Sequence, residues 1–231
     1  MAPYSSTFPA SPAPDPDDMT SVAGHDQTSF DGLSRMFSHW ERPHRRSIHW
    51  MLTFGDQPEV CTLAQQCQHR LPKEGLDLIE PEGLHLTVRR FGYADTVPAH
   101  HLHTAVQTLR DGYLRTAAPF KLQIVPLAGS PGAVRFSVAP WSPLLELFVA
   151  VSAVSGHHHG DPLTVYRPHL SIAYSNREQH PERIQDAVRQ ARELPSTEAT
   201  VSVLRLVELY RRDHQYRWRV LEDLLLESAE H

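Results

Sequence analysis

The chain has 231 residues, 40% of them hydrophobic and 21% charged, with 22 basic residues against 27 acidic for a formal charge of −5. These values exclude a wholly disordered or fibrous chain, and the acidic balance argues against a protein that tracks along extended nucleic acid, which needs a basic surface excess. No apolar run approaches the ~18 residues of a membrane-spanning helix, and the N-terminus lacks the basic-then-apolar pattern of a secretory signal. Cys61 and Cys67 are too few and too close for a disulfide framework. The expectation is a cytoplasmic chain with no membrane contact.

In chain order, residues 1–41 read as a disordered or weakly ordered tail. Pro3, Pro9, Pro12, Pro14 and Pro16 alternate with Ser, Ala and Asp, and such a stretch buries too little apolar surface to offset its ordering entropy. Only the segment from Phe30 to Trp40 is apolar enough for a short helix. Residues 42–231 read as the folded domain. Ile48 to Phe54 is a strand; Pro58 opens a helix running to about Arg70; Leu84 to Phe91 is a second strand; Pro98 opens a helix ending near Gly112. Phe120 to Leu127 and Ala133 to Val138 are strands joined by the turn Gly129-Ser130-Pro131-Gly132. Ser142 and Pro143 start an apolar helix to about Ser155, and a histidine-rich loop follows. His169 to Tyr174 is a strand, Pro181 opens a helix, and Val201 to Tyr210 pairs with Gln215 to Leu226 around a turn at Arg211 to His214. The order strand, helix, strand, helix, strand occurs twice. It predicts an α+β fold of two duplicated lobes, about 47–128 and 131–228, with elements exchanged between them. Two antiparallel sheets then flank a central cleft, and the helices lie outside.

The most informative feature falls at matching places in the two halves: His85-Leu86-Thr87-Val88 and His169-Leu170-Ser171-Ile172. On a strand, residues i and i+2 share a face. His85 therefore projects with Thr87, and His169 with Ser171, while the aliphatic partners face the core. If a pseudo-twofold axis relates the lobes, two imidazoles and two hydroxyls surround one point. One neutral imidazole can then accept a proton from a nucleophile while a second, protonated, gives one to a leaving oxygen. The hydroxyls can donate to phosphate oxygens as charge builds on them.

These residues resemble the paired His-x-Thr/Ser motifs of the 2H phosphoesterase superfamily, and most closely its 2′-5′ RNA ligase-like, or RNA 2′,3′-cyclic phosphodiesterase, branch. Phe91-Gly92 after the first motif and Pro168 before the second add to the likeness, which covers about Ser47 to Leu226. The resemblance implies a bilobal fold and opening or formation of 2′-linked or 2′,3′-cyclic phosphates without a metal or other cofactor. It also implies His85 and His169 as the acid/base pair and Thr87 and Ser171 as phosphate binders. Tyr174 stands where relatives often carry arginine.

Weaker signals surround this core. Arg89 shares the His85 face if the strand stays regular, and is either a phosphate contact or a solvated arginine. Arg167 precedes His169 by two, across Pro168. Tyr93, Tyr166 and Tyr174 offer either a stacking platform for a base or ordinary packing. Consecutive His157, His158 and His159 do not point the same way, and read as a solvated loop rather than a metal site. His100, His101 and His103 lack helical i, i+4 spacing. No Gly-rich phosphate loop, dinucleotide fingerprint or nucleophile elbow is present. The expected partner is a small nucleotide or RNA terminus carrying a cyclic phosphate, bound by a monomer. The alternatives are a non-catalytic nucleotide- or RNA-end-binding domain using the same cleft, and a histidine-rich metal binder.

Overall fold

Period-two burial builds the first sheet. Strand β1 (Ser47–Thr53) buries Ile48, Trp50 and Leu52 on one face, as alternation along a strand requires. The structure, a computed structural model, describes residues 14–40, 45–156 and 166–227. The remaining elements are helices α1 (Met19–Asp31), α2 (Pro58–Arg70), α3 (Ala99–Asp111), α4 (Ser142–Ser155) and α5 (Glu182–Ala191), and strands β2 (Leu76–Leu78), β3 (His85–Tyr93), β4 (Phe120–Ser130), β5 (Ala133–Ala139), β6 (Leu170–Ser175), β7 (Thr197–Val201), β8 (Val203–Arg212) and β9 (Gln215–Leu225). Pro58 and Pro143 occupy the first turns of α2 and α4, where a missing N–H costs nothing.

Two antiparallel sheets result, ordered β3-β1-β8-β9 and β2-β6-β5-β4-β7. The lobes are therefore not consecutive halves of the chain. The tight Pro131-Gly132 turn keeps β4 beside β5 in the second sheet, and β8 returns to pair with β1 in the first. Helices cross over as well. Helix α4 packs on β3, and α1, α2 and α5 cover the second sheet. The strand expected from Val201 to Tyr210 is β8, in the first sheet, and an unexpected strand β7 precedes it in the second. The short β2 lacks a run long enough to be read from sequence. At the β8–β9 hairpin, Asp213 and His214 both have positive φ (48° and 56°). A two-residue turn of that hand matches strand twist, and Asp and His tolerate it better than most residues.

The tail reading needs correction for residues 14–40. Helix α1 forms there and packs against β4 and β5. Asp18 caps it by accepting from the Thr20 N–H at 2.9 Å, and Val22 and Phe30 are fully buried. Its lead-in is tied to the start of α4: the Trp141 N–H donates to the Pro16 carbonyl (2.9 Å) and the Ser142 N–H to Asp17 Oδ1 (2.8 Å). Proline density marked the segment as polar, but two apolar anchors and a buried carboxylate suffice to dock it on an existing sheet. Residues 1–13, and the expected domain start at Arg42, lie outside the described residues.

Candidate active site

The two histidine strands meet across the gap between the sheets. His85 and Thr87 project from β3, and His169 and Ser171 stand at the start of β6. All four line one cleft of about 230 Å³ together with His39, His49, Ser130, Tyr174, Leu209 and Tyr216. Leu86, Val88, Leu170 and Ile172 are buried on the opposite faces, so core packing aims the polar side chains at the cleft.

Each imidazole is held in the same way. His85 Nδ1 lies 2.8 Å from the Gly83 carbonyl, and His169 Nδ1 lies 2.9 Å from the Arg167 carbonyl. A carbonyl only accepts, so Nδ1 carries the hydrogen in both rings and Nε2 is left as the nitrogen that gains or loses a proton. The two-residue offset is the same in both motifs.

Electrostatics favour neutral rings in the free protein. Burial lowers the His85 pKa, opposed by its hydrogen bond to Gly83. At His169 two facts oppose each other: the ring is exposed through the cleft mouth, yet protein encloses its other sides. The enclosure dominates, and lost hydration, then the Arg135 charge and that of His85, draw its pKa down to about 4. His39 is likewise lowered to about 4, by burial first and then by Arg211 and His85.

Arg89 does not reach the cleft, because the strand does not stay regular. Met51 pairs with Thr87 but Trp50 pairs with Arg89, so Val88 is an extra residue on β3. That bulge reverses the alternation, since residues directly opposite share a face. Arg89 therefore joins the Trp50 face, with its guanidinium 5.5 Å from the Phe148 ring of α4. Arg90 takes the His49 side instead, and lies over the Tyr93 ring.

Of the three tyrosines singled out, only Tyr174 lines the cleft. It is buried, and its pKa is raised by that burial and by Tyr216. Tyr166 stacks on Phe148 at 4.7 Å, and Tyr93 lies between Arg45 and Arg90. His100, His101 and His103 are exposed on α3, and His157, His158 and His159 fall outside the described residues. Among the described residues, no three His, Cys, Asp or Glu side chains converge to hold a metal ion.

Four residues in or beside the cleft escaped the sequence reading: His39, His49, Tyr216 and Trp218. His39 stacks on Tyr174 at 4.1 Å, and its Nε2 lies 3.0 Å from the Tyr216 hydroxyl. Trp218 stands edge-on to His85 at 5.4 Å. Alternation along β9 put Tyr216 and Trp218 on one face and was the available signal for them. His39 had only the cluster Ser38-His39-Trp40 in a stretch read as tail.

Known proteins share this fold. The family model of the 2′-5′ RNA ligase superfamily matches residues 56–213. No curated protein sequence matches the chain. Among solved structures, one from Thermus thermophilus is similar at 19% identity and a TM-score of 0.58, over 81% of this chain and 100% of its own. Escherichia coli LigT complexed with 3′-AMP is similar at 14% identity and a TM-score of 0.60, over 80% of this chain and 100% of its own. LigT complexed with ATP is similar at 15% identity and 0.54, with the same coverage. At these identities the solved structures establish the shared two-lobed fold, and the family match over most of the domain establishes the rest: the chain belongs to the 2′-5′ RNA ligase superfamily of 2H phosphoesterases.

Proposed function

We propose that this protein hydrolyses 2′,3′-cyclic, or 2′-5′, phosphodiesters of nucleotides or RNA ends by two-histidine acid/base catalysis. Superfamily membership supports a phosphodiesterase or ligase-like activity. The observation that carries the finer reading is the matched pair of rings, His85 and His169, each with Nδ1–H tied to a carbonyl two residues back and both lining one cleft with Thr87 and Ser171.

In this reading one neutral Nε2 accepts a proton from water as the water oxygen bonds to phosphorus. The other ring, protonated, donates its proton to the departing 2′ or 3′ oxygen as the P–O bond breaks. The roles are restored when the two rings exchange a proton through solvent. Thr87 and Ser171 hydroxyls donate to the non-bridging oxygens, where negative charge accumulates in the transition state. The lowered histidine pKa values suit an anionic substrate. A phosphodiester charge between the rings favours binding one proton there, so substrate itself generates the singly protonated pair. Tyr216 and Trp218 beside His85 provide aromatic faces for a base. LigT structures with 3′-AMP and ATP support a small nucleotide ligand. Free Cys61 and Cys67 support a reducing, cytoplasmic setting.

Turnover of 2′,3′-cyclic mononucleotides, with and without a chelator, tests the reading. Activity that survives chelation supports it. Tight binding with no turnover points to a nucleotide-binding domain, and loss of activity on chelation to a metal-dependent one.

A further inference from the structure

Helix α1 precedes the residues matched by the family model, yet it delivers a buried carboxylate to Arg167, two residues before His169. Asp26 is 3% exposed and forms an ion pair with Arg167, itself 6% exposed. Its second oxygen accepts from Ser137 Oγ on β5 at 2.7 Å. The Arg167 guanidinium also donates to His25 Nδ1 at 2.9 Å and lies 5.2 Å from the Trp141 ring. The main chain of this same arginine supplies the carbonyl that fixes the tautomer of His169. On β5, Arg135 pairs with Ser171 in register. A contiguous path thus runs from α1 through a buried ion pair to one of the two candidate acid/base groups. The support of His85 is different in kind: its orienting carbonyl belongs to Gly83, in a short turn before β3.

We propose that Asp26 is a positioning residue for the proposed reaction, which anchors Arg167 so that the Arg167 carbonyl holds His169 in the Nδ1–H form with Nε2 free for proton transfer. This rests on the two-histidine reading above. The physical reason is rigidity. Residues 166–169 lead into β6 from outside the sheet ladder, so strand pairing does not fix their backbone. A side chain held at its far end in a buried ion pair narrows the range its own backbone can sample, and with it the position of the carbonyl that aligns the ring. The Asp26 charge also opposes that of Arg135 at His169, favouring proton uptake there, while His85 acts with Arg135. Helix α1 is therefore part of the catalytic apparatus rather than an appendage.

The test is Asp26→Asn, nearly isosteric, read by nitrogen NMR of the histidine rings and by steady-state kinetics on a 2′,3′-cyclic mononucleotide. The expected result is that His169 becomes a mixture of tautomers while His85 stays in its Nδ1–H form. Turnover number falls about 10- to 100-fold, the range seen when an orienting outer partner is removed, with KM little changed. Ser137→Ala is the milder companion if Asp26→Asn does not fold: it removes one hydrogen bond to the carboxylate and lowers turnover about two- to tenfold in the same direction. A folded variant with wild-type His169 tautomer and wild-type turnover overturns the proposal. The two readings separate cleanly. A wild-type protein without turnover whose His169 tautomer still shifts in Asp26→Asn sinks the proposed reaction and keeps the positioning. Normal turnover with a fixed tautomer in both variants does the reverse.

Discussion

Phe30→Ala measures whether the N-terminal helix belongs to the folded unit. Phe30 sits near the end of α1 with no exposed surface, inside the main hydrophobic cluster. Its ring lies against Gly129 of β4 so closely that a Cβ there would collide with it, and a close approach of this kind is what a glycine in a strand permits. Truncating a buried phenylalanine removes its transfer free energy and leaves a cavity, at about 3–5 kcal/mol. In a chain of this size each kcal/mol lowers Tm by roughly 2–4 °C, so the variant should melt roughly 6–20 °C below wild type. Thermal unfolding followed by far-UV circular dichroism and by calorimetry reads this directly. A weakly ordered tail predicts a change within about 0.5 kcal/mol, as for surface substitutions. A Tm within about 2 °C of wild type would therefore refute the docking of α1.

Two further outcomes follow from the cleft. Because base and acid must be neutral and protonated respectively, the rate should be bell-shaped in pH. His169 is lowered to about 4 and His85 is lowered too, so the kcat/KM optimum should lie below the ordinary histidine pKa of about 6.5. The kcat optimum should sit higher, because bound anion raises both groups; a kcat/KM optimum above about pH 7 would contradict the lowered values. Arg89→Ala should leave KM within about twofold of wild type while lowering Tm modestly through the lost contact with Phe148. A rise in KM of about tenfold or more would return Arg89 to substrate binding.

The parts of this protein that could be read from sequence are those governed by short-range rules. Proline at the first turn locates α2 and α4, runs of β-compatible residues locate β1, β3 and β6, and the repeated His-x-hydroxyl pattern locates both candidate catalytic groups. What escaped depended on contacts distant in sequence. The bulge at Val88 is set by how β3 registers on β1, and no local pattern announces it, so a regular strand puts Arg89 on the wrong face. Helix α1 has too weak an apolar stripe to declare itself; it is held by Phe30 against Gly129 and by Asp26 against Arg167, partners far along the chain. His39 enters the cleft only because the chain beyond α1 is hydrogen-bonded to Pro131, Ser175 and Gln179. The exchange of β4 and β8 between lobes was foreseeable in kind, but the tight β4–β5 hairpin decides which strands move.

If His85 and His169 together perform acid/base chemistry on a cyclic phosphodiester, removing either ring slows turnover. The most direct measurement is the initial rate on a 2′,3′-cyclic mononucleotide, in the presence of a chelator, for wild type, His85→Ala, His169→Ala and the double variant. Each single variant should lose about 10²–10⁴-fold in kcat. The double variant should lose less than the product of the two, because the rings act as a unit. A folded His85→Ala or His169→Ala protein that turns the substrate over at the wild-type rate would remove that histidine from the chemistry.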